Sequence, residues 1–154
     1  MWAATRFVPG GLERRMPAAP EIRNSSNLRM SRPIKATFDL AAFGSNLALA
    51  RRLAGKAKVM AVLKADAYGH GLLRAARGFS AADGFALLEL DDAVRLRDAG
   101  FGQRILLLEG FFEARELPVI LHHGFAVMVH NQEQLAQLSA VRTDRKLDIF
   151  LKFN

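Results

Sequence analysis

From residue 58 onward a short apolar run is followed by a segment of helical periodicity, and the unit repeats down the chain. The runs Lys58–Leu63, Gly84–Leu88, Arg104–Leu108, Phe125–Val129 and Leu147–Phe153 read as strands. Between them, Leu72, Leu73 and Ala76 mark one helix, and Leu90, Ala93, Val94 and Leu96 mark a second that Gly100 stops. Leu117, Ile120 and Leu121 mark a third, stopped by Gly124. Asn131 opens a fourth with Gln134 three residues on, a capping-box spacing, and Leu135 and Leu138 give it an apolar face. Strand starts fall about 20 to 26 residues apart, which suits βα units.

Strictly alternating strands and helices imply an α/β fold with a parallel sheet covered by helices. An open doubly wound sheet usually declares itself by a glycine-rich phosphate turn after its first strand. Here the first strand of the run ends in a lysine instead. A (β/α)8 barrel typically needs about 250 residues, and this chain has 154. The expectation is the N-terminal part of a TIM-type (β/α)8 barrel, truncated after about the fifth strand. Ahead of the run, Ile34–Phe38 alternates apolar and polar as a half-buried strand does. Asp39 is placed to cap a helix whose Leu40, Phe43, Leu47 and Ala50 share one face, with Arg51 and Arg52 in its last turns and Gly55 at its end.

Residues 1–29 differ from the rest. Pro9, Gly10, Gly11, Pro17 and Pro20 interrupt any periodicity, and Asn24-Ser25-Ser26-Asn27 follows. They are expected to be a disordered extension or sequence upstream of the natural start, with Met30 as the start of a partial barrel domain over 30–154. The chain lacks cysteine, so disulfides, zinc-thiolate sites and cysteine nucleophiles are excluded. Its net charge of +7 is spread over a mixed surface, without a basic run interleaved with aromatics, so no nucleic-acid partner is expected. The apolar runs are far shorter than the roughly 20 residues of a membrane helix.

The chemistry is concentrated in Val59-Met60-Ala61-Val62-Leu63-Lys64-Ala65-Asp66-Ala67-Tyr68-Gly69-His70-Gly71. Strand alternation puts Met60, Val62 and Lys64 on one side, so Lys64 ends an apolar face. At the C-terminal end of a barrel strand such a residue lines the site. A partly desolvated lysine offers a nucleophilic amine, the group that forms Schiff bases with aldehydes. The next turn holds Tyr68 and two glycines before a helix begins, and a phenol beside free helix amides suits a phosphate. Amine and phosphate donors on one loop point to a phosphorylated aldehyde cofactor, a description that pyridoxal phosphate fits.

The stretch Val62-Leu63-Lys64-Ala65-Asp66-Ala67-Tyr68-Gly69-His70-Gly71 resembles the cofactor-lysine signature of alanine racemases, without a gap. Ala82–Ala86, Ile105–Phe112 and Leu151–Asn154 resemble later segments of that family in the same order, so the resemblance covers residues 31–154. It implies a pyridoxal-phosphate enzyme that interconverts L-alanine and D-alanine by two-base proton transfer, cytoplasmic, dimeric when full length, and supplying D-alanine for peptidoglycan. Lys64 matches the lysine that holds the cofactor as an internal aldimine and acts as the base on the D-alanine face. Tyr68 matches a tyrosine bonded to the cofactor phosphate, and Leu108 an apolar residue near the cofactor. Lys152 matches a lysine often carbamylated, which orients a substrate-gripping arginine. The family's opposite-face tyrosine base and its Gly-Met-x-Arg motif are expected beyond Asn154, so the 154 residues alone are expected to be inactive. Competing readings are a non-enzymatic pyridoxal-phosphate homeostasis protein of related barrel fold and a non-functional gene fragment.

Other residues have plainer readings. His70 is expected to hydrogen-bond structurally. His122 and His123 suit a helix C-terminus better than a metal site, and His130 has no partner at ligand spacing. Asp91 and Asp92 read as first-turn acids of a helix. Glu109-Gly110-Phe111-Phe112 ends the third strand and shapes a pocket, with no assigned chemistry.

Overall fold

The structure, a computed structural model, describes residues 35–153. The extension over 1–29, Ile34 and Asn154 lie outside the described residues. Helix α1 (Leu40–Ala54) begins where Asp39 accepts hydrogen bonds from the amides of Ala41 and Ala42 at 2.8 and 3.4 Å. Arg51 and Arg52 close it, and Gly55 follows at φ 61°. Its buried stripe is narrower than the spacing implied. Leu47 is buried and Phe43 half-buried, but Leu40 and Ala50 are exposed.

The repeating unit follows as expected: β1 (Met60–Val62), α2 (Lys64–Tyr68), α3 (Leu72–Gly78), β2 (Gly84–Leu87), α4 (Leu90–Asp98), β3 (Arg104–Leu107), a 3₁₀ turn (Ala114–Glu116), α5 (Leu117–His123), β4 (Ala126–Val129), α6 (Gln132–Ala140) and β5 (Ile149–Leu151). All four pairings are parallel, and the sheet order is β1-β2-β3-β4-β5. A doubly wound sheet reverses its order at a switch point, whereas a barrel adds strands in sequence. The described residues therefore carry five of the eight strands of a barrel of this type.

Residues 35–38 do not form the expected strand. Lys35, Ala36 and Thr37 are exposed and unladdered, and Phe38 is half-buried. Alternation alone cannot make a strand, because its amides and carbonyls need a neighbouring edge, and none of the described strands pairs with these residues. The Phe38 ring instead lies under the Arg74 guanidinium, 4.2 Å from its centroid, and meets His70 edge-on.

Register sorts the two sheet faces. Ala61, Phe85 and Ile105 stand side by side, as do Leu87, Leu107 and Val127, and all six are buried under the helices. Full burial of each large side chain contributes about 1.5–3 kcal/mol. The opposite face carries Met60, Gly84 and Arg104, then Val62, Ala86, Leu106 and Ala126, with Met128 and Phe150 further on. Helix α1 approaches α3 closely because residue 78 is glycine: a Cβ there would lie 2.7 Å from that of Phe43.

Candidate functional site

The ladder runs one residue past β1, where the Leu63 amide donates to the Ala86 carbonyl at 2.9 Å. There the chain turns, at φ −118° and ψ 12° for Leu63, so the direction of half-buried Lys64 is set by the turn and not by strand alternation. The turn is left-handed. Ala65, Asp66, Ala67 and Tyr68 have φ of 53°, 52°, 53° and 56°. Each L-residue in that region costs roughly 1–2 kcal/mol, and none of the four is glycine. The Ala67 amide reaches the Leu63 carbonyl at 2.9 Å, and the Gly69 amide is shared between the carbonyls of Ala65 and Asp66 at 3.3 and 3.2 Å. A helical turn of either hand brings residues four apart to one side, which is the relation between Lys64 and Tyr68.

Asp66 ties this turn to the next helix. Its carbonyl accepts the Gly71 amide at 2.9 Å, and its Oδ1 accepts the Leu72 amide at 2.7 Å. The first amide of α3 is therefore taken and is not among the free amides expected there for a phosphate. Tyr68, 63% exposed, keeps its phenol available. Leu88 and Leu108, both half-buried, follow β2 and β3, and the Leu108 amide continues that ladder to the Leu87 carbonyl at 2.8 Å. A half-buried amine, an accessible phenol one turn on, and apolar side chains at neighbouring strand ends are a donor set that fits a phosphorylated aldehyde.

A second group gathers at the ends of β3, β4 and β5. Glu109 lies between His130 and Lys152, with Oε2 3.6 Å from His130 Nε2 and Oε1 3.9 Å from Lys152 Nζ. Lys152 is held by its amide, which donates to the Val129 carbonyl at 3.0 Å. Buried Gln134 organises the group. Its Nε2 donates to the carbonyls of Glu109 and Phe111 at 2.9 and 3.2 Å, and its Oε1 accepts the His130 amide at 3.1 Å. Asn131 caps α6 through the Gln134 amide at 2.7 Å, as the spacing predicts. The return arm reaches His130 and not the cap residue itself, because the Gln134 side chain also spans to the β3 loop. Gly110, at φ 75°, permits the approach: a Cβ there would sit 2.2 Å from the Met128 carbonyl oxygen.

The remaining residues sort plainly. His70 packs its ring edge-on against Phe38 and Phe43 at 5.8 and 5.4 Å, and among the described residues its hydrogen bonds run through its backbone, the amide to the Ala67 carbonyl at 3.1 Å and the carbonyl from Arg74 at 2.9 Å. His122 and His123 end α5, and His123 stacks on Phe125 at 5.1 Å. Asp91 and Asp92 occupy the first turn of α4, where Asp92 pairs with Arg95 at 2.7 Å. Leu135 of α6 is exposed, not part of a buried face. No group of three potential metal ligands occurs among the described residues, and none of their helices is long and apolar enough to cross a membrane. Sequence reasoning missed Asp66 and the multiple roles of Gln134. The six-residue reach from Asp66 to Leu72 is no capping spacing, and only the capping role of Gln134 leaves a local pattern.

The alanine racemase N-terminal domain model matches residues 38–154. The alanine racemase of Nitrosospira multiformis is 60% identical over 125 residues, covering 81% of this chain and 35% of that protein. That of Nitrosomonas europaea is 55% identical over the same length, with 81% and 34% covered. Among solved structures, the biosynthetic alanine racemase of Pseudomonas aeruginosa superposes with a TM-score of 0.69 at 38% identity, over 72% of this chain and 31% of that one. The alanine racemase of Acinetobacter baumannii gives 0.64 at 34% identity, over 66% and 30%. The chain spans about a third of the length of the curated relatives it matches.

Proposed function

Because this chain belongs to the alanine racemase family, we propose that it contributes the cofactor lysine of an enzyme interconverting L-alanine and D-alanine. Pyridoxal phosphate, when bound, supplies an electron sink that stabilises negative charge at the substrate α-carbon. Lys64 is the residue that holds it, and its Nζ carries the proton on one face of that carbon. The Tyr68 phenol donates to the phosphate. Leu108, with Leu88 beside it, limits water at the amine. Lys152 orients an arginine that grips the substrate carboxylate, and the barrel portion runs over residues 30–154. The working enzyme is a cytoplasmic homodimer whose D-alanine supplies peptidoglycan.

The observation that carries this reading is the half-buried Lys64 directly after β1, in a chain 60% identical to an alanine racemase across the matched region. The test is reduction with borohydride in the presence of pyridoxal phosphate, followed by peptide mass mapping. The pyridoxyl group is expected on Lys64. Label on another lysine while Lys64 stays free overturns the reading.

A further inference from the structure

We propose that Asp66 is a positioning residue: its carboxylate holds the left-handed turn and thereby fixes the backbone from which Lys64 and Tyr68 leave. The proposal rests on the reading of Lys64 as the cofactor lysine.

Four consecutive non-glycine residues at positive φ are an arrangement that L-amino acids avoid, and such strain persists only where the surroundings over-determine it. The turn's own backbone bonds, from the Ala67 amide to the Leu63 carbonyl at 2.9 Å, from the His70 amide to the Ala67 carbonyl at 3.1 Å and from a Gly69 amide divided between two carbonyls at 3.2 and 3.3 Å, all close within residues 63–70 and tie the turn to nothing beyond itself. Asp66 adds two bonds that leave the turn, from its carbonyl to the Gly71 amide at 2.9 Å and from Oδ1 to the Leu72 amide at 2.7 Å. Leu72 is 1% exposed in the core, so the second bond ties the turn to the packed start of α3. Among the described residues it is the sole side-chain hydrogen bond made by Lys64–Tyr68. Aspartate also tolerates positive φ better than most residues. Asp66 is itself exposed, so replacing it opens no cavity, and the asparagine and glycine variants separate loss of the bond from the added cost of positive φ. Without the anchor the turn relaxes toward ordinary φ, and the directions in which Lys64 and Tyr68 leave the backbone change.

The experiment uses the full chain with Asp66→Ala, Asp66→Asn and Asp66→Gly. Asparagine keeps an acceptor oxygen. Glycine accepts positive φ but removes the acceptor, so the test stands if the alanine variant does not fold. Two readouts are taken. One is reductive labelling of Lys64 by pyridoxal phosphate, normalised to the exposed Lys56 and Lys58 of the same digest. The other needs no cofactor: the strong intraresidue amide-to-Hα NOE of positive-φ residues at Ala65 and Ala67. Loss of the bond lowers normalised Lys64 labelling by about tenfold in the alanine and glycine variants, while asparagine stays within about threefold of the parent. The NOE signature disappears in the alanine variant and survives with asparagine. Parent-level labelling with an intact signature in Asp66→Ala overturns the proposal, as does an asparagine variant that falls as far as alanine. Absence of Lys64 labelling in the parent chain overturns the cofactor reading instead, and the NOE arm then decides alone whether Asp66 holds the turn.

Discussion

Asp83 and Val59 hold one another by reciprocal hydrogen bonds: the Val59 amide donates to Asp83 Oδ2 at 2.8 Å, and the Asp83 amide donates to the Val59 carbonyl at 2.9 Å. Arg51 of α1 closes the group on Oδ1 at 2.9 Å, so one carboxylate joins the first helix, the lead-in to β1 and the lead-in to β2.

That arrangement predicts an acid-sensitive joint. The Val59 amide, opposed by desolvation and reinforced by Arg51 and Lys58, holds the Asp83 carboxyl below its ordinary value of 3.8. The unfolded chain then binds the proton more tightly than the folded one. The stabilisation is complete above that ordinary value and is lost as pH falls from it through the folded value. Urea unfolding across the acid range is expected to show a slope that flattens in Asp83→Asn. An identical slope in parent and variant removes Asp83 from the acid response.

Gly110→Ala tests the approach of the β3 loop to β4. Positive φ alone costs an alanine about 1–3 kcal/mol, and the added Cβ meets the Met128 carbonyl at 2.2 Å and Gln134 Nε2 at 2.8 Å. A loss of about 3 kcal/mol or more in urea unfolding is expected. A loss under about 1 kcal/mol shows that the loop yields freely.

Arg97 carries the turn between α4 and β3. It donates to the carbonyls of Phe101 and Gln103 at 2.6 and 2.7 Å and lies 5.3 Å from the Phe125 ring centroid, while desolvation lowers its pKa. Arg97→Met leaves both carbonyls without that donor and is expected to cost roughly 2 kcal/mol. Arg97→Lys recovers only part, since one ammonium does not reproduce the guanidinium fork. Full recovery by lysine in thermal or urea unfolding contradicts this account.

The sheet was legible in the sequence because buried parallel strands are continuous apolar runs, and Phe85–Leu87 or Ile105–Leu107 read the same way in either medium. The helix starts at Asp39 and Asn131 were legible because capping is local. What escaped was non-local or contrary to intrinsic preference. The Arg51–Asp83 pair spans 32 residues and leaves no pattern. Ala65–Tyr68 shows no sign of positive φ, since three of its four residues disfavour it, and only the surrounding bonds select it. Ile34–Phe38 has the alternation of a strand, and its described residues lack the neighbouring edge that would make it one.

Inverting a carbon needs proton carriers on both of its faces. In the proposed reading Lys64 serves one face, and Tyr68, the single tyrosine of the chain, is given to the phosphate. The 154 residues are therefore expected to exchange the α-proton of alanine without inverting it efficiently. Residues at the β5 edge, Leu151 and Phe153, are 66% and 89% exposed, so the measurement is made at low protein concentration to limit edge association. With pyridoxal phosphate and D-alanine in D2O, deuterium is expected to enter D-alanine faster than L-alanine forms, because Lys64 is read as the base on the D-alanine face, and Lys64→Ala is expected to abolish the exchange. L-alanine formation at about 1–10³ s⁻¹, the range of ordinary enzymes, shows that a second proton carrier is already present within these residues. Exchange that persists in Lys64→Ala shows that Lys64 is not the first.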